Sequence, residues 1–249
     1  MLESIKSLAQ LSMLAPKGKE VNGFNATLPL LLKVLAKKGA HEYLLQVGNV
    51  AVHTKSQKEL FVGQRYWANM SRSTTGAILL SNLSPTPKLL QTLQDSPLKL
   101  SFSDIQKLIK KGELKEPYHE LLLDKMLHTQ SRHEFLTLGN LLLSLQKDVL
   151  TFFIHEKHQE SLVQIKATKG REQSLEFYGL YPHLGAISGR VYLDKNGVNA
   201  QIYVAFERVV RFLEARKKNL RGFESVVILH KEVLEPLFAF EESLLDIKG

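Results

Sequence analysis

The spacing of hydrophobic residues changes repeatedly along the chain, and each change marks a different kind of element. Over residues 2–14, Ile5, Leu8, Leu11 and Leu14 recur every three positions, which predicts one apolar helix face, and Pro16 with Gly18 ends it. Residues 27–38 predict a second helix. Leu30, Leu31, Val34 and Leu35 share one side, Pro29 sits in the first turn, and Lys37, Lys38 and Gly39 suit a helix C-terminus. From Tyr43 the period falls towards two. Residues 43–47, 50–53 and 66–71 predict strands, separated by the pair Gly48-Asn49 and by Leu60-Phe61-Val62-Gly63, the pattern of a small β-barrel or curled meander.

Helical spacing returns after Ser84. Pro85, Pro87 and Pro97 punctuate a stretch that leads into predicted helices over 104–111 and 118–129. Ser131 and Glu134 form a capping box ahead of Phe135, Leu138, Leu141 and Leu145, so a further helix starts there. The triplets Leu121-Leu122-Leu123 and Leu141-Leu142-Leu143 are apolar over too wide an arc for a surface helix and must be buried. Past Asp148 the pattern is β-like again over 150–155, 161–168 and 174–178, with Lys169-Gly170 as a turn. Strands over 186–193 and 198–205 flank Asp194-Lys195-Asn196-Gly197, whose Asn-Gly pair is the strongest hairpin signal in the chain. A helix is predicted over 206–220, a last strand over 226–229, and a helix or acidic tail over 232–247. The last strand completes a β-β-α-β unit whose helix covers one sheet face.

These elements predict an α+β fold in three parts. Residues 1–83 hold N-terminal helices and the small β-module, 84–148 a helical segment, and 149–249 the β-β-α-β domain. With 249 residues, 44% of them hydrophobic and 23% charged, the chain has enough apolar surface for a folded core.

The absence of cysteine excludes disulfides, thiolate metal sites and thiol nucleophiles together. Residues 1–15 interleave polar and apolar positions without the unbroken apolar run of a signal peptide, and no stretch reaches the length of a spanning helix. A cytoplasmic chain without membrane insertion is expected.

Residue types that carry catalysis are sparse. No phosphate-binding glycine loop, dinucleotide fingerprint, nucleophile elbow or H-E-x-x-H occurs. His155 and His158 flank Glu156 and Lys157 between two predicted strands, where alternation points them to opposite faces with no third ligand nearby. No catalytic residue, metal or cofactor is therefore assigned. The net charge of +8 suits an anionic partner. Two surfaces could use it. The predicted β-barrel offers Arg65, Tyr66, Trp67 and Arg72 to nucleic acid, by stacking and phosphate contact, while Trp67 reads more readily as a partly buried barrel aromatic. The predicted helix over 206–220 offers Arg208, Arg211, Lys218 and Arg221 to an acidic partner, alongside Arg216 and Lys217. Its cations could equally form a solvated face paired with Glu232, Glu235, Glu241 and Glu242.

Residues 180–233 read LYPHLGAISGRVYLDKNGVNAQIYVAFERVVRFLEARKKNLRGFESVVILHKEV. The order is a Leu184-Gly185 step within Pro182-His183-Leu184-Gly185-Ala186-Ile187, a strand, a polar hairpin and a strand ending in small and aromatic residues. An amphipathic helix with a late Leu220-Arg221 follows, then a valine-rich strand. This order resembles the C-terminal domain of flagellar hook-length control proteins, and the upstream YLLQVGNVAVHTKSQKELFVGQRY resembles the small β-module that precedes it in several relatives. The resemblance implies a non-enzymatic protein that contacts the export gate of the flagellar type III secretion apparatus and switches its substrate class, with export through that apparatus as a further fate. It implies a partner surface around Pro182, Leu184, Gly185 and the helix carrying Arg208, Arg211, Lys218 and Arg221. Long Ser/Thr/Pro/Gln-rich ruler segments of that family have no counterpart within these residues, so the switching role, which needs only the folded domain, is the one expected.

Overall fold

A computed structural model describes residues 28–72, 78–110, 114–157, 159–168 and 173–240. The helix expected over 2–14, the Lys169-Gly170 turn, His158 and the last residues of the acidic tail lie outside them.

Five strands form the first sheet: β1 (Leu30–Lys37), β2 (Glu42–Val47), β3 (Val50–Lys55), β4 (Arg65–Arg72) and β5 (Ile78–Pro85), in the order β3-β2-β1-β4-β5. Every neighbouring pair is antiparallel. Alternation of side chains explains its small core. Leu32 lies opposite both Val47 and Tyr66, and Val34 opposite Leu45, so one face collects Leu32, Val34, Leu45, Val47, Tyr66 and Ala68. Two tyrosine hydroxyls fix the connection before β4: Tyr43 accepts the Leu60 N–H at 3.3 Å and Tyr66 accepts the Phe61 N–H at 3.1 Å. The strands expected from Tyr43 and Val50, and their Gly48-Asn49 turn, are present, with Val47 opposite Val50.

The helix predicted over 27–38 is a strand. β1 lies in the middle of the sheet, with Leu32 and Val34 in the small core while Leu31 packs against the main core of the molecule. Burial on both faces erases the alternation a strand would otherwise display, and a leucine-rich run then reads equally well as a helix. Pairing with β2 and β4 overrides the helix propensity of leucine.

Helices α1 (Lys88–Asp95), α2 (Phe102–Lys110), α3 (Lys115–Leu127) and α4 (Arg132–Gln146) follow. The capping box is formed: the Ser131 hydroxyl accepts the Glu134 N–H at 3.1 Å. Leu122 and Leu141 are fully buried, but the triplets are not buried whole: Leu123 is 42% exposed, and Leu121, Leu142 and Leu143 are half-buried. The Tyr118 hydroxyl of α3 donates to the Thr151 carbonyl at 2.6 Å, and its ring lies 4.9 Å from that of Phe152, which ties the helices to the second sheet.

That sheet has six strands: β6 (Val149–Glu156), β7 (Gln159–Thr168), β8 (Ser174–Tyr181), β9 (Gly185–Asp194), β10 (Gly197–Val204) and β11 (Ser225–His230), ordered β11-β10-β9-β8-β7-β6. All neighbours are antiparallel except β10 and β11, which run parallel and are joined through α5 (Glu207–Glu214) and a short turn of 3-10 helix, Lys217–Asn219. The expected hairpin is present. Its loop is Lys195-Asn196, closed by Asp194 opposite Gly197, and the Asp194 carboxylate accepts the N–H groups of Asn196 and Gly197 at 2.7 and 3.1 Å. The helix expected over 206–220 stops at Glu214 as an α-helix. Chain reversal ahead of β11 brings Leu220 back into the core.

No helix forms over 231–240. Instead the Gln164 carboxamide donates to the Phe238 carbonyl at 2.8 Å and accepts the Phe238 N–H at 3.2 Å, while the Phe240 ring meets Phe153 edge-on at 6.0 Å.

Two expectations about the architecture need correction. The α+β fold with a helical N-terminal region gives way to a mainly sheet protein, with eleven strands in two sheets against five α-helices among the described residues. The β-β-α-β unit exists as β9-β10-α5-β11, but as one side of a six-stranded sheet. The main core also draws Leu28 and Trp67 from the first part, Leu90, Leu122 and Leu141 from the second, and Leu180 and Ile202 from the third.

Candidate functional site

The two sheets meet along a seam built by alternation in β4. Tyr66 and Ala68 point into the small core, so Trp67 and Asn69 point the other way, towards the second sheet. The indole N–H of Trp67 donates to the Pro182 carbonyl at 3.1 Å, and the ring packs edge-on to Phe206 with centroids 6.1 Å apart. Next to it the Arg208 guanidinium donates to the Met70 carbonyl at 3.1 Å. Leu184 is buried beneath this seam, 1% exposed. Gly185 has φ +80, and a Cβ there would lie 2.6 Å from Cε2 of Phe206. Only glycine meets both requirements at no cost.

Of the seven residues expected to bind a partner, four therefore build this seam. Pro182, Leu184, Gly185 and Arg208 come together, and Pro182 and Arg208 bond across to the first sheet. Arg211 is exposed on α5 at the rim of a cleft beside the seam. Lys218 and Arg221 are exposed in the segment after α5 and do not line that cleft. Two further cations of the segment are engaged locally: Arg216 stacks on the Phe212 ring, 3.9 Å from its centroid, and Lys217 lies 3.6 Å from Glu214.

The cleft encloses about 790 Å³. One wall is Ser81 to Pro85 at the outer strand of the first sheet, and the other is α5 with His230 and the segment after it. Trp67 and Asn69 form part of its lining. Asn69 is 7% exposed and among the described residues its Oδ1 has no hydrogen-bond partner, an uncommon state for a buried amide oxygen. Charge on the rim is mixed, with Lys58, Arg208 and Arg211 against Glu207 and Glu232.

Sequence reasoning missed Asn69, Ser81, Lys58 and His230 as companions of Arg211. The alternation Trp67-x-Asn69 carried the one usable signal, a carboxamide sharing a strand face with a large aromatic.

The surface expected to bind nucleic acid is arranged differently. Tyr66 and Trp67 are both buried, so neither ring is open to stack on a base. Arg65 is half-buried at the first residue of β4. Arg72 closes the same strand.

Among the described residues no three histidine, aspartate or glutamate side chains converge as a metal site, and no helix is long and apolar enough to cross a membrane. His155 lies 3.7 Å from Glu160. Burial raises the Tyr178 hydroxyl well above its ordinary pKa. No protein family, no curated protein and no solved structure matches the chain.

Proposed function

We propose that this chain is a non-enzymatic protein-binding module of the hook-length control type, acting on the substrate-class switch of the flagellar type III export apparatus through contact with its export gate. The observation that carries the reading is the Leu184-Gly185 step. The phrase that resembles the family's has a physical reason here, since Leu184 enters the core and Gly185 adopts a left-handed conformation under Phe206. Strand, polar turn, strand, cationic helix and final strand then follow in the order of the resemblance.

In this reading Pro182, Leu184, Gly185 and Arg208 shape the domain, and the exposed cations Arg211, Lys218 and Arg221 present its docking face. Exposed charges of this kind steer association and fix the choice of partner. The test is to reverse them together, Arg211→Glu with Lys218→Glu and Arg221→Glu, in flagellated cells that depend on this chain. The expected result is elongated hooks and delayed export of late substrates with the protein still folded and present at normal level. Unchanged hook length and export order would overturn the proposal.

A further inference from the structure

We infer that the cleft between the two sheets takes an extended acidic peptide segment, which adds to the open edge of β5 and sets its carboxylates between Lys58 and Arg211. The inference stands whether or not the chain acts at an export apparatus.

Three observations converge on it. First, β5 ends the first sheet, and among the described residues its strand neighbour is β4 alone. Its far edge carries backbone groups without a strand to receive them, apart from Pro85, which has no N–H, and Ser81 to Pro85, irregular where Asn82 takes φ +51, form a cleft wall. An extended peptide satisfies such an edge by adding a strand. Second, Asn69 reaches the cleft from β4 with an amide oxygen that no group among the described residues satisfies. A side-chain donor of the peptide on that sheet face is a match, and a buried acceptor left unmatched costs about 1–3 kcal/mol. Third, Lys58 and Arg211 are exposed at the cleft and neither has an ion-pair partner among the described residues, in a chain of net charge +8. Carboxylates on the peptide complement both. The volume also fits, because a cleft of about 790 Å³ lies within the range of roughly 300–1,000 Å³ typical of ligand sites.

The chain contains one tryptophan, and Trp67 lines this cleft, so its emission reports occupancy at the site in question. The full chain is titrated with a decapeptide of alternating glutamate and threonine, with the same peptide carrying lysine for glutamate, and with oligothymidylate. The expected result is a saturable change in Trp67 emission with the glutamate peptide alone. Binding should weaken at least tenfold in Arg211→Glu and in Lys58→Glu, both surface changes that leave folding intact by circular dichroism. Peptides N-methylated at every second residue test the edge pairing, since methyls in one phase face β5 and in the other face away. One phase should lose binding and the other retain it. No saturable change with the glutamate peptide, an equal response to the lysine peptide, a stronger response to oligothymidylate, or indifference to both charge reversals overturns the inference. Equal binding of the two N-methylated forms overturns the β5 edge as the place of docking.

Discussion

Trp67 and Pro182 are 115 residues apart in sequence, yet the indole of one donates to the carbonyl of the other at 3.1 Å and so fastens the first sheet to the second. Trp67→Phe keeps most of the ring contact with Phe206 but leaves the Pro182 carbonyl without its donor, an expected loss of about 1 kcal/mol. Trp67→Ala removes the whole side chain from the core, for an expected loss of about 3–5 kcal/mol. Urea unfolding followed by far-ultraviolet circular dichroism measures both. Limited proteolysis should cut the Trp67→Ala protein first within β1 to β5. A uniform digestion pattern would show that the seam does not hold that sheet in place.

Gly185→Ala should be far more damaging than a glycine-to-alanine change at an ordinary position. A left-handed conformation costs an alanine about 1–2 kcal/mol. The new Cβ would also stand 2.6 Å from the Phe206 ring, and forcing the ring aside adds about 1–3 kcal/mol. Phe206→Leu introduced alongside should recover part of the second cost and none of the first. Equilibrium unfolding of the two single variants and the double variant separates the terms. Additive losses would exclude the steric account.

Elements whose signal is local were legible in the sequence, and elements defined by what packs on them were not. Ser131 with Glu134, and the loop before Gly197, specify their own hydrogen bonds within a few residues, so chemistry alone predicts them. β1 is different, because Leu31 serves one core and Leu32 the other, and no window around residue 30 contains either partner. The site divides the same way. Arg211 was legible as an exposed cation on an amphipathic helix, whereas the Asn69 and β5 wall opposite it depends on how two distant sheets meet. Pro182, Leu184 and Gly185 stand out in the sequence as a phrase, and the structure makes Leu184 and Gly185 a buried close approach, which a leucine beside a glycine marks more often than an exposed docking point.

Gln164 is fully buried in β7 and spends its carboxamide on both backbone groups of Phe238. Gln164→Leu conserves volume but strands a donor and an acceptor, each costing about 1–3 kcal/mol if they stay buried. The segment after β11 should therefore detach locally rather than pull the sheet apart. Hydrogen exchange at the Phe238 amide is expected to accelerate by at least tenfold while the amides of β7 and β8 keep their protection. Equal acceleration throughout the sheet would mean that the clamp stabilises the whole fold instead.

At the start of α2 the Ser101 hydroxyl, 2.6 Å away, then the Ser101 backbone N–H at 3.0 Å, hold the Asp104 carboxyl below the ordinary carboxylate range; burial opposes them, and Lys107 adds a smaller favourable pull. A carboxyl whose pKa is lower folded than unfolded contributes stability that is complete above its unfolded value, about 3.9. That contribution fades as the pH falls through the lower folded value. Asp104→Asn keeps an acceptor for Ser101 but removes the titration. The melting temperature of the native protein should exceed that of Asp104→Asn at pH 7, and the gap should shrink steadily below about pH 4 as the carboxylate takes up its proton. Thermal unfolding of both proteins across that range measures the gap, and a gap that stays constant into strong acid would show that the Ser101 contacts do not depend on the charge.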